Sequence, residues 1–145
     1  MAINIVVAVV LVALAGGIAW WLEHRRKVAP PTQGRAIAPQ QLDRRDFPRP
    51  DAPWLVVLFT SKNCDSCAGL LDKAAPLASD QVSVAEVEYF SQPELHRRYR
   101  IEAAPITVIA DADGVTRASF VGAFPATDLW NALAALREPA TDPEE

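Results

Sequence analysis

The chain has 145 residues, half of them hydrophobic, and a formal net charge of −4. That length bounds it to one compact domain plus extensions. With no basic patch interleaved with aromatics in its second half, nucleic acid is not indicated as a partner.

Residues 3–22 read INIVVAVVLVALAGGIAWWL, with Asn4 as the only strongly polar member. About 20 apolar residues match a bilayer core of ~30 Å. Trp20 and Trp21 close the run where an aromatic belt would sit, and EHRRK follows at once. A cleaved signal peptide, with ALA at 13–15 as cleavage site, is the alternative. It is disfavoured because MAIN carries no basic residue and the apolar core is too long. A buried core helix would show a polar face, and this run has none. The reading is one N-terminal transmembrane helix at 3–22.

Residues 23–52 read as a basic, Pro-rich linker. From His24 to Pro50, seven Arg or Lys face only Asp43 and Asp46, a net of +5, whereas residues 51–145 carry seven basic and fifteen acidic residues, a net of −8. A basic collar beside an apolar span suits an anionic lipid surface, or simply marks topology in a solvated linker. Six of the twelve prolines lie between Lys27 and Pro53. They predict a semi-extended tether, with a short element near Ala36–Arg44.

A folded domain is predicted over 53–138. WLVVLFT (54–60) is a continuous apolar run, as expected of a strand buried on both faces. CDSCAGLLDKAAPLA (64–78) reads as a helix with Leu70, Leu71, Ala74, Ala75 and Ala78 on one side, kinked or ended early by Pro76. VSVAEVEYF (82–90) alternates like a strand, and PELHRRYR (93–100) is a short helix with Pro93 in its first turn. PITVIA (105–110), the DADG turn (111–114) and VTRASFV (115–121) form a hairpin. TDLWNALAALR (127–137) is a helix with Thr127 as N-cap and Leu129, Leu133 and Leu136 on one stripe. The acidic tail 139–145 is expected to be disordered. The order βαβαββα implies a layered α/β fold, a central sheet with flanking helices.

Cys64 and Cys67 are the only cysteines. A C-x-x-C that follows a buried strand and opens a helix places Cys64 at the helix N-terminus. Free amides there favour its thiolate, and Cys67 sits one turn in as the resolving thiol. Zinc is the first rival, but it wants four ligands and no second pair exists, His24 and His96 lying far off in sequence. A structural disulfide is the second, but so short a loop constrains the unfolded chain little. Redox chemistry is the favoured reading, with no metal.

Residues 54–137 resemble the thioredoxin family, most closely a membrane-tethered thioredoxin-like protein. The strand–CxxC–helix unit, YRIEAAPITVIADADG (99–114) and SFVGAFPATDLWNAL (119–133) carry the match. The resemblance implies a cis Ala104–Pro105 bond facing the disulfide, a backbone there that hydrogen-bonds an extended substrate, and Gly122 where a loop approaches the active site. The alternative for Pro105 is an ordinary proline at the start of a strand.

This chain also departs from the family. Asn63 stands where the family has Trp, and Asp65–Ser66 where it has Gly-Pro. Asp65 opposes a Cys64 thiolate by like charge and Lys62 favours it. Leu58 occupies the place of the family's buried acid, and Glu86 that of its buried lysine. A swap would make Glu86 the general base for Cys67; the alternative is that Glu86 faces solvent.

The expected activity is reduction of protein disulfides. Cys64 would attack and Cys67 resolve, with no organic cofactor and with an upstream redox protein as electron donor. The alternatives are a redox-inactive adaptor that binds a membrane or protein partner, and an oxidase or isomerase that donates disulfides. The side of the membrane is contested. No Lys or Arg precedes the span and four lie in 24–35, which favours a cytoplasmic domain. Tethered thioredoxin-like proteins of bacteria point instead to the extracytoplasmic side.

Overall fold

The computed structural model describes residues 1–25 and 38–138. The chain divides into two compact units, Met1–Thr32 and Gln33–Glu145. In the first, α1 (Ala2–Arg25) is one uninterrupted 24-residue helix, about 36 Å long at 1.5 Å per residue. Ile3, Ile5, Val6, Val7, Val10 and Val12 on it are exposed. Its backbone is described throughout and its side chains in part; among the described residues no helix is long and apolar enough to cross a membrane.

The second unit is built on β1 (Trp54–Thr60), β2 (Val82–Glu88), β3 (Ile106–Ala110) and β4 (Thr116–Val121) in the order β2-β1-β3-β4. β2 runs parallel to β1, while β3 is antiparallel to β1 and β4 to β3. The helices are α2 (Leu70–Ala74), α3 (Pro93–Arg98) and α4 (Ala126–Arg137). α4 begins one residue before Thr127, with Pro125 as its flanking residue.

β1 is apolar without alternation because it lies between two strands and is covered on both faces. Leu55, Val57 and Phe59 join a cluster with Ala85, Val87, Ile106 and Val108, closed by Leu95 of α3 and by Tyr99. Val56 and Leu58 point the other way, to Leu70 and Ala74 of α2 and to Leu129 and Leu133 of α4. Leu129 and Leu133 are sealed from solvent, so truncating either to Ala costs about 2–5 kcal/mol.

Two expectations are corrected. The linker read as 23–52 ends earlier, because residues 38–52 fold onto the domain as a strap. Ala38, Leu42, Phe47 and Ala52 are buried. The Leu42 amide donates to Gly114 O at 2.8 Å and the Thr116 amide to Gln40 O at 3.0 Å. Arg44 is buried too, its guanidinium donating to Asp111 O at 2.8 Å and Ala52 O at 2.7 Å. Burial lowers the pKa of Arg44, and Asp111 and Asp51 oppose that shift. The remainder of that linker, 26–37, and the tail 139–145 lie outside the described residues.

The helix read over 64–78 is broken. Asp65–Cys67 form one 3-10 turn, Gly69 takes φ 73°, α2 has five residues, and Ala75–Leu77 form a second 3-10 turn. Gly69 supplies the left-handed link at no Cβ cost, and Pro76 removes an amide from the last turn.

Candidate active site

Cys64 and Cys67 form a disulfide with Cα atoms 5.3 Å apart. Cys64 is half-buried and Cys67 buried, so only the first sulfur is open to a partner. The Cys64 Sγ lies 3.5 Å from Ala104 O and 3.4 Å from Ser66 Oγ. The Ala104–Pro105 peptide is cis, and Pro105 is buried. The Gly122 amide donates to Pro105 O at 2.9 Å. Gly122 has φ 87°, and an added Cβ would meet nothing within 4 Å. Three segments far apart in sequence therefore converge at the end of the sheet where β1 finishes and β3 begins. Lys73 of α2 ties in the third by donating to Phe124 O at 2.9 Å.

No protein-family model matches the chain, and no curated protein matches it. Solved structures do. A point mutant of the thioredoxin from Halobacterium salinarum NRC-1 superposes with a TM-score of 0.54 at 22% identity, over 62% of this chain and 80% of that one. The thioredoxin of Fasciola hepatica gives 0.50 at 26% identity, over 59% and 83%. The domain has the thioredoxin-like fold.

Within that fold the Cys64–Cys67 pair does not head a long helix. α2 starts only at Leu70, and one 3-10 turn, Asp65–Cys67, stands where the sequence led one to expect a helix headed by Cys64. Asp65 and Lys62 are both exposed.

Of the two readings of Glu86, a base for Cys67 or a residue facing solvent, the structure agrees with the second. Glu86 is exposed, and its Oε1 accepts from Thr60 Oγ1 at 2.8 Å. Leu58, its register partner on β1, is sealed from solvent. β2 is an edge strand, so alternation turns Glu86 to the α2 side of the sheet without covering it. No hydrogen bond links Glu86 to either cysteine among the described residues.

Two groups at the site carry no sequence signal. Ser66 is one, by its contact with Cys64. Glu88 is the other. Its carboxylate accepts from the Lys62 amide at 3.1 Å, the Ser91 amide at 3.0 Å and Ser91 Oγ at 3.0 Å. Burial opposes the charge, but these donors and the Phe90 amide outweigh it and hold the Glu88 pKa below the usual carboxylate value. Glu86 and Glu88 share a strand face by parity, and only loop closure tells them apart.

Proposed function

We propose that the protein is a membrane-tethered thiol–disulfide oxidoreductase that reduces protein disulfides. The observation that supports this best is the asymmetric pair, with Cys64 open beside Ala104 O and Cys67 buried behind it. In the reduced enzyme the Cys64 thiolate attacks one sulfur of a substrate disulfide. A mixed disulfide forms, and the expelled substrate thiolate takes up a proton. Cys67 then gives up its proton and attacks Cys64 Sγ, releasing the second substrate thiolate. Two electrons and two protons pass to the substrate, and the enzyme is left with the Cys64–Cys67 disulfide. The backbone at Ala104 and Pro105, with the open space at Gly122, seats the extended substrate chain. The electrons reside in the dithiol, so no organic cofactor is needed. An upstream dithiol redox protein restores the reduced state.

The apolar run 3–22 and the continuous helical backbone of α1 support the tether. The basic residues Arg25, Arg26, Lys27 and Arg35 after the run, against none before it, favour a cytoplasmic domain over an extracytoplasmic one. A second reading, an adaptor without turnover, draws on Leu58 in place of an acid and on the exposure of Glu86.

The test is the reduction potential of the full chain in detergent, by thiol labelling across redox buffers. A value of about −270 mV supports a reductase, and one of about −120 mV makes the protein an oxidant. With no reversible two-electron transition, the adaptor replaces the enzyme.

A further inference from the structure

Tyr89 and Phe90 follow β2 directly, and they are 46% and 55% exposed. Being adjacent, they form a small contiguous apolar patch, the kind of surface feature that carries information where scattered exposed residues do not. They are also held firmly. Their rings meet edge to face with centroids 5.2 Å apart, and Tyr89 stacks edge-on to the buried His96 at 5.3 Å. His96 Nε2 is fixed to Val87 O at 2.9 Å. The Tyr89 amide donates to Thr60 O at 2.9 Å, extending the β1–β2 ladder to within four residues of Cys64. Because β1 and β2 are parallel, both chains leave the sheet at the same end.

Glu88 joins the two loops that leave there. One carboxylate oxygen takes the Lys62 amide, two residues before Cys64, and the other takes the amide and hydroxyl of Ser91, one residue after Phe90. Three donors on one carboxylate make a strong clasp, since hydrogen bonds to a charged acceptor are about twice as strong as neutral ones. Glu88 thereby ties the segment that carries the aromatic pair to the loop that leads into Cys64.

We propose that Glu88 is a positioning residue that locks the Tyr89–Phe90 pair to the Cys64 loop as a docking face for a protein disulfide flanked by apolar side chains. The inference rests on the oxidoreductase reading. A protein substrate has side chains beyond its cystine to lay on the aromatic pair, and a small disulfide has none. The pair is continuous with the cysteine loop through Glu88, which makes a polypeptide presenting its cystine to Cys64 the occupant that fits. A clasp that fixes this geometry acts by orientation, where displacements of about 1 Å cost large factors in rate.

The experiment compares kcat/KM for insulin with the rate constant for a small aromatic disulfide, using the reduced full-length protein in detergent and its Glu88→Ala, Glu88→Gln and Phe90→Ser variants. The ratio of protein to small-disulfide reactivity is expected to fall about tenfold in Glu88→Ala. Phe90→Ser should lower it mainly through a higher KM, and Glu88→Gln should fall between wild type and Glu88→Ala. Phe90 is exposed, so its replacement tests the face even if Glu88→Ala unfolds. An unchanged ratio in Phe90→Ser overturns the proposal, as does a folded Glu88→Ala in which both activities fall equally. If Phe90→Ser dissociates a dimer while the ratio holds, the pair covers a second copy and the proposal fails. A wild-type protein that reduces neither disulfide defeats the oxidoreductase reading itself, a result distinct from all of these.

Discussion

The Leu42 amide donates to the Gly114 carbonyl at 2.8 Å, and a Cβ on Gly114 would run into the Leu42 carbonyl oxygen. Gly114 also has φ 80°, a region that side chains other than Gly enter at a cost. Strap and hairpin thus depend on a residue with no side chain. Gly114→Ala is expected to lower stability by roughly 2–3 kcal/mol, combining left-handed strain with displacement of the strap. Urea unfolding measures this, and a loss below about 0.5 kcal/mol, the range of ordinary surface changes, would show that the strap does not hold the domain.

Tyr99 fastens the other end of the strap. Its hydroxyl donates to Asp46 and accepts from the Asp43 amide at 3.0 Å. Burial, and then the bond to Asp46, push its pKa up from 10.0 to about 12. The folded state therefore holds this proton more tightly than the unfolded chain does. The associated stability is complete below pH 10 and drains away as pH rises toward 12. Tyr99→Phe should remove this part of the alkaline decline. Matching slopes for wild type and variant across that window, followed by chemical denaturation, would contradict the assignment.

Glu86 bonds Thr60 Oγ1 at 2.8 Å and stands in solvent. A general base must reach its proton directly or through one water. Glu86→Gln should therefore change the rate of mixed-disulfide resolution by less than about twofold, whereas loss of a working base costs about 10²–10⁴. Stopped-flow measurement against pH separates these, and a fall of about a hundredfold would reinstate Glu86 as the base.

Cys64 is half-buried and Cys67 buried, and the proposed mechanism gives them different roles. Cys67→Ser should leave an attacking thiol without its resolving partner, so a mixed disulfide with a protein substrate accumulates. Cys64→Ser should form none. Non-reducing electrophoresis after alkylation reads both, and adducts on Cys67 alone would reverse the assignment.

Much of the domain was legible in the sequence because its signals are local. The unbroken apolar run of β1, the alternation of β2, the DADG turn and the leucine stripe of α4 each report a short stretch of backbone and its burial. The C-x-x-C after a buried strand pointed to Cys64 and Cys67 for the same reason. The transmembrane reading of 3–22 rested on composition alone; of it, the structure bears out the helix, α1. The strap was not legible. Its apolar residues are scattered among Pro and Arg without a period, and its hydrogen bonds close over long separations, 67 residues from Arg44 to Asp111 and 72 from Gln41 to Asp113. Parity placed Glu86 on a face of the sheet but could not tell that nothing covers it. The same parity gave no hint that Glu88, two residues on, would gather the amides of two loops. Only the tertiary structure decided these, because burial at a sheet edge and bonds between loops depend on which distant segments arrive there, and local pattern carries no record of that.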